Sequence, residues 1–201
     1  MIEIDAGALK EAEELLKGLP GAAEKAAKTA IRKTVRGAKQ DATRKVKERY
    51  TIKPAYITRT MRFDFQAGGL AAAFRSKGRV NDLAYFKHRP QSIPKHRPPK
   101  GKYLFSQVIK GGGGPIAHAF LAKMKSGHIG VFYRTGEYGR NNHINKSGKL
   151  DQEMIEKLSG PSTPQMLESQ TVAAFIQKRM EERLQKNIDH EVNAFLMGYR
   201  K

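Results

Sequence analysis

The chain has no cysteine and no tryptophan. Without cysteine there is no disulfide framework, no zinc ribbon and no thiol nucleophile, and the lack suits a reducing compartment. Without tryptophan, and with aromatics at 8% of 201 residues, platforms on which single-stranded bases stack are thin. No apolar run reaches about 18 residues, so no membrane contact by a spanning helix is expected. The first residues, MIEIDAGALKEAEELL, carry acid early and lack the apolar stretch of a signal peptide. Acid itself is scarce: 19 Asp/Glu stand against 38 Lys/Arg, a formal net charge of +19. The shortage does not mean disorder, because 39% hydrophobic and 28% charged residues are ordinary globular usage. The length suits one domain or two small ones.

The positive charge is segregated. Residues 25–62 hold 13 Lys/Arg and 2 Asp/Glu, and residues 75–102 hold 9 and 1. The other stretches cancel one another. Solubility alone needs no such segregation. A surface facing phosphate, or an acidic protein, would use it.

Residues 6–17 predict a short helix, closed by Gly18-Leu19-Pro20-Gly21. A longer helix is expected over 22–49. Ala27, Ile31, Val35, Ala38, Ala42 and Val46 recur at spacings of three and four, which makes one apolar stripe. Lys25, Arg32, Arg36, Lys39 and Lys47 fall on the opposite side. An alanine-rich stripe buries little area per residue, so this helix calls for a partner helix or subunit. Pro54 ends it and opens one more helical turn. Residues 61–65 alternate as a strand, and 70–74 and 102–110 are further strand candidates. Residues 89–100, RPQSIPKHRPPK, hold four prolines and predict an extended basic arm carrying Arg89, Lys95, Arg97 and Lys100. Residues 117–124 are ambiguous between strand and helix, 128–134 read as a strand, and 135–150 as a loop. A last helix is expected from Pro164 to Met197, capped by Thr163. Its 34 residues would span about 51 Å. Val172, Ile176, Met180, Leu184, Ile188, Val192 and Leu196 follow a strict spacing of four, which drifts about 40° per step. One flat neighbour cannot bury the whole stripe. The helix must bend, or its later half, from Leu184 to Leu196, must meet another element or subunit.

The expected architecture is α+β, in one domain spanning 1–201: N-terminal helices over 1–50, a central mainly antiparallel sheet over 51–135 with the arm at 89–100, and the long C-terminal helix over 160–198. No catalytic constellation holds. His88, His96, His118, His128, His143 and His190 form no HExxH or zinc-finger pattern. Gly111–Gly114 lacks the Lys-Ser/Thr of a phosphate loop. No Ser-His-Asp order can be defended, and no cofactor or metal is called for.

The block AFLAKMKSGHIGVFYR (residues 119–134), followed by GPSTPQML (160–167), resembles the minor tail protein Z family of long-tailed phages and prophages. An Ala- and Arg-rich first helix, then Arg49, Tyr50 and Ile52 before a short helix, extend the likeness over most of the chain. The acidic stretch 151–156 and the proline-rich arm are not part of it. The resemblance implies a non-enzymatic tail-completion protein of the virion, made in the host cytoplasm and acting where the tail tube meets the head connector and the DNA end. It further implies a homo-oligomeric ring, a hexamer being the candidate size, among other tail and neck proteins. The expected contact surface for duplex DNA or an acidic partner is Lys25, Arg32, Arg36, Lys39 and Lys47 with the arm cations; the expected oligomer contacts are Arg134, Leu184, Ile188, Val192 and Leu196. Arg134 would serve as an anchor for a neighbour's carboxylate, or simply as a surface cation. Composition alone would favour a stand-alone, sequence-independent nucleic-acid-binding protein. A nuclease has no candidate residues.

Overall fold

The computed structural model describes residues 2–4, 7–17, 19, 21–96, 103–138 and 153–200. In chain order the elements are β1 (Ile2–Ile4), α1 (Gly7–Leu15), α2 (Ala22–Arg49), α3 (Pro54–Thr58), β2 (Met61–Gln66), β3 (Ala71–Ser76), β4 (Asn81–Asp82), β5 (Lys87–Arg89), β6 (Leu104–Gln107), β7 (Gly114–Ile116), β8 (Ala119–Lys123), β9 (Ile129–Tyr138), β10 (Glu153–Lys157), β11 (Ser159–Gly160), α4 (Thr163–Glu168) and α5 (Gln170–Leu196). The class is the α+β one expected, with helices first and a long helix last. The strands, however, form four small antiparallel sheets instead of one. Short strands punctuated by Gly and Pro leave no ladder long enough to hold a common sheet together.

The chain divides into two compact units. The first comprises Met1–Glu48, Ile57–Gly78 and Thr163–Lys201; the second comprises Arg49–Tyr56 and Arg79–Ser162. In the first unit, β3 is the middle strand of a three-stranded sheet between β1 and β2, with Ile2 opposite Phe74 and Phe63 opposite Phe74 on its other side. No sequence signal had pointed to β1, a strand of only three residues. Helix α2 has the boundaries expected of it, and its apolar stripe is buried. Its partner helix is α5, in the same subunit: Asn187 donates to the Thr34 hydroxyl across 2.9 Å, and a cluster of Ala12, Leu16, Ala22, Ala26, Ala30, Ile188 and Val192 closes the core.

The single 34-residue helix expected at the end is instead two. Ser169, at φ −58 and ψ 133, leaves the helical region between α4 and α5. Its hydroxyl donates to Met166 O across 3.2 Å, the local bond by which serine competes with helix continuation. At its far end, α5 closes with Gly198 N–H on Phe195 O and Tyr199 N–H on Ala194 O, the paired bonds of a Schellman cap.

In the second unit, β8 and β10 flank β9, and β5 and β7 flank β6. The ambiguous stretch 117–124 is therefore a strand, and the first residues of the expected loop, 135–138, continue β9. The acidic stretch after 151 contributes β10. Thr51 accepts from Lys87 N–H at 3.1 Å and donates to Gln107 O, linking β5 to β6. Gly160 lies against Phe86, where a Cβ would come within 2.6 Å of the ring; no other residue fits without moving Phe86. The 160–167 segment crosses from this unit into the first, where Thr163, Met166 and Leu167 are buried.

Candidate nucleic-acid interface

Ion pairing sorts the cations of α2 into two sets. On the flanks, Lys28 pairs with Glu24, Lys33 Nζ lies 2.5 Å from Glu191, Arg44 is 2.6 Å from Asp41, and Lys45 is 2.6 Å from Glu48. Arg49, the last residue of the helix, stands apart over the Tyr50 ring; the other set is Lys25, Arg32, Arg36, Lys39 and Lys47. Among the described residues, none of these five has a carboxylate within ion-pair distance. Four of them are exposed and Lys39 is half-buried. The 3.6-residue repeat carries the apolar stripe into the core and these five side chains away from it. Repulsion along such a row is relieved when an anion binds it.

The arm cations belong to the second unit. Arg89, at the end of β5, and Lys95 are exposed; Arg97 and Lys100 lie outside the described residues. Residues 90–96 hold neither helix nor strand, as four prolines in the arm predict.

The expected oligomer contacts divide. Ile188 and Val192 are 1% and 3% exposed and sit in the subunit's own core against α1 and the start of α2. Their assignment to a neighbouring subunit is corrected: the second neighbour demanded by the drifting stripe is supplied within the chain. Leu184 packs half-buried on the same cluster. Leu196 is 59% exposed, beside exposed Met197 and Tyr199. Arg134 already has its own carboxylate, Glu153 at 3.4 Å across the β9–β10 hairpin, and lies over the Phe120 ring.

Sequence reasoning missed a polar seam along α2 and α5. Asp41, 2% exposed, accepts from Arg44 and from Arg183 Nε, each at 2.6 Å, with Arg179 Nε at 3.8 Å. The hydrogen bond to Asp41 raises the Arg183 pKa above its ordinary value, outweighing the opposing effect of burial. Glu191 is fully buried between Lys33 and Arg200. The signal for the first cluster was present: Asp41 is a lone acid beside Ala38 and Ala42, on the inward side of a basic helix.

Among the described residues no group of three His, Asp or Glu side chains is placed to hold a metal ion, and no helix is long and apolar enough to cross a membrane. His88 Nδ1 lies 2.8 Å from Phe86 O, and His128 Nε2 lies 2.7 Å from Asp82; both are tied into the second unit.

These features describe a mixed α+β protein whose marked surface is a row of uncompensated cations. The model of the prophage minor tail protein Z family matches residues 7–201. The chain belongs to that family and is a structural protein of a phage tail, working among other tail or neck proteins. Curated proteins and solved structures each yield no match.

Proposed function

We propose that this protein completes the tail as a homo-oligomeric ring at the end that meets the head connector, and that the outer face of α2 touches the phosphate backbone of the DNA end. The observation that carries the reading is the row Lys25, Arg32, Arg36, Lys39 and Lys47, left without carboxylates while the neighbouring cations on the same helix are paired. Phosphate contacts of this kind position a duplex without reading its sequence. Repeated around a ring, one such helix per subunit makes a positive band. In the second unit, Arg89, Lys95, Arg97 and Lys100 give the arm a positive charge of its own for phosphate or an acidic neighbour. Exposed Leu196, with Met197 and Tyr199, supplies an apolar contact between subunits or to a neck protein. The protein assembles in the host cytoplasm and catalyses nothing. Particles assembled without it, imaged by electron microscopy, test the reading: tails that fail to join filled heads support it, and normal joined particles overturn it.

A further inference from the structure

A buried carboxylate among cations also fixes where their remaining N–H groups point. Asp41 is such a group. Arg44, reaching from one turn along α2, donates Nη2–H to Oδ1, and Arg183, from α5, donates Nε–H to Oδ2. Arg179 stands farther off and takes Glu182 across 2.7 Å. Arg44 and Arg183 thus share a single negative charge. Among the described residues neither makes another hydrogen bond, so donors of both forks stay available, and both side chains reach solvent.

Gly37 makes this arrangement possible. It sits inside α2, where glycine is less favourable than alanine. A Cβ there would lie 2.8 Å from Arg183 Nη1 and 3.0 Å from its Cδ and Cζ. The missing side chain leaves the track along which Arg183 crosses α2 to Asp41. On the helical wheel, Arg44 and Gly37 lie about 80° and 100° from Arg36. Arg44 therefore carries the row of cations farther around α2, and Arg183 meets it there from α5.

We propose that Arg44 and Arg183, held by buried Asp41 across Gly37, form a phosphate clamp that extends the α2 face, its ligand a backbone phosphate of duplex DNA. The clamp rests on the DNA contact proposed above. It differs from the row of single cations in depending on geometry, because a planar guanidinium fork grips phosphate through two parallel bonds and an ammonium does not.

The test measures binding of the full-length protein to a random-sequence duplex across a salt series, for variants shown by circular dichroism to be folded. Arg183→Lys keeps the charge and loses the fork; about tenfold weaker binding with an unchanged salt slope supports the clamp. Asp41→Asn makes the surface more positive but releases both arginines. Weaker binding by this variant supports the clamp as well, since net charge alone would tighten it. Should Asp41→Asn fail to fold, Arg183→Lys decides alone. Wild-type affinity in Arg183→Lys, beside an Arg32→Gln variant that loses both affinity and slope, overturns the clamp and leaves the DNA contact standing. No duplex binding by the wild type at low salt overturns both.

Discussion

Lys33 Nζ lies 2.5 Å from Oε1 of Glu191, a carboxylate with no exposed surface, while Arg200 holds the other oxygen at 2.9 Å. The pairing ties α2 to α5 and fastens the residues after the Schellman cap back onto the helix. The partners are unequal, because the carboxylate is wholly desolvated and both cations reach water. Removing a cation therefore costs more than removing the acid. Lys33→Met should lower unfolding stability by about 2 kcal/mol, and Glu191→Gln by less than half of that. Urea midpoints of the two variants and of the double mutant check the asymmetry.

The two ends of α5 should respond oppositely to one substitution. Ile188→Asp places a charge in the alanine-rich core and should cost more than about 4 kcal/mol, enough to unfold the first unit. Leu196→Asp, at an exposed position, should change stability by no more than about 0.5 kcal/mol while reducing the oligomer mass. Thermal melts and light scattering after size exclusion separate the outcomes. An oligomer unchanged by Leu196→Asp removes that residue from the contact.

Salt dependence should report the unpaired row. The triple variant Arg32→Gln, Arg36→Gln, Lys39→Gln should lower the slope of log affinity against log salt by roughly two to three units, at about 0.9 per duplex phosphate. Lys28→Gln, which removes a cation already paired with Glu24, should change the slope by less. Equal effects from both would show that pairing does not sort these cations.

Ionisation in the β9–β10 hairpin has a defined sign. Tyr133 donates to Glu156 across 2.5 Å, and this bond, with some burial and the charges of Glu156 and Glu137, raises the phenol above its ordinary value of 10.0. A raised folded value means that the stabilisation is complete below the unfolded pKa and is lost as pH climbs through the folded one. The phenolate absorbance that disappears in Tyr133→Phe should therefore appear at a higher pH than that of a free tyrosine, and Glu156→Gln should bring it down. Glu24 behaves in the opposite sense. Its hydrogen bond and charge pairing with Lys28 lower its pKa below 4.5, so its contribution is present at neutral pH and fades as pH falls through the lowered value.

Much of the architecture was readable from local pattern. The stripe from Ala27 to Val46 called for a long helix with a basic back, and Pro54 marked its end. The strands at 61–66 and 129–134 had alternation or β-rich composition to announce them, the alanine-rich 71–76 offered only a weak signal, and 135–138 read as loop. Ser169 carried no comparable signal, because serine is common inside helices and breaks one only where its environment lets the hydroxyl bond to the backbone instead. The drifting stripe of α5 correctly demanded two neighbours but could not say which. A periodicity states that a face is covered and is silent about the cover.

The sequence by itself determined that this is an α+β chain, that its positive charge is concentrated in two segments, and that five cations of α2 share one side. It also carried the blocks by which the family is known. These are properties of spacing and composition, set by 3.6 and 2 residues per repeat. Tertiary structure decided what local rules cannot encode: that α1 and α2, not a second subunit, cover Ile188 and Val192, and that Lys33 and Arg183 each meet a carboxylate of the other long helix while Arg32 and Arg36 meet none. Both outcomes depend on residues far away in the chain, more than a hundred positions from Lys33 to Glu191 and from Asp41 to Arg183, because burial and ion pairing depend on distance in space.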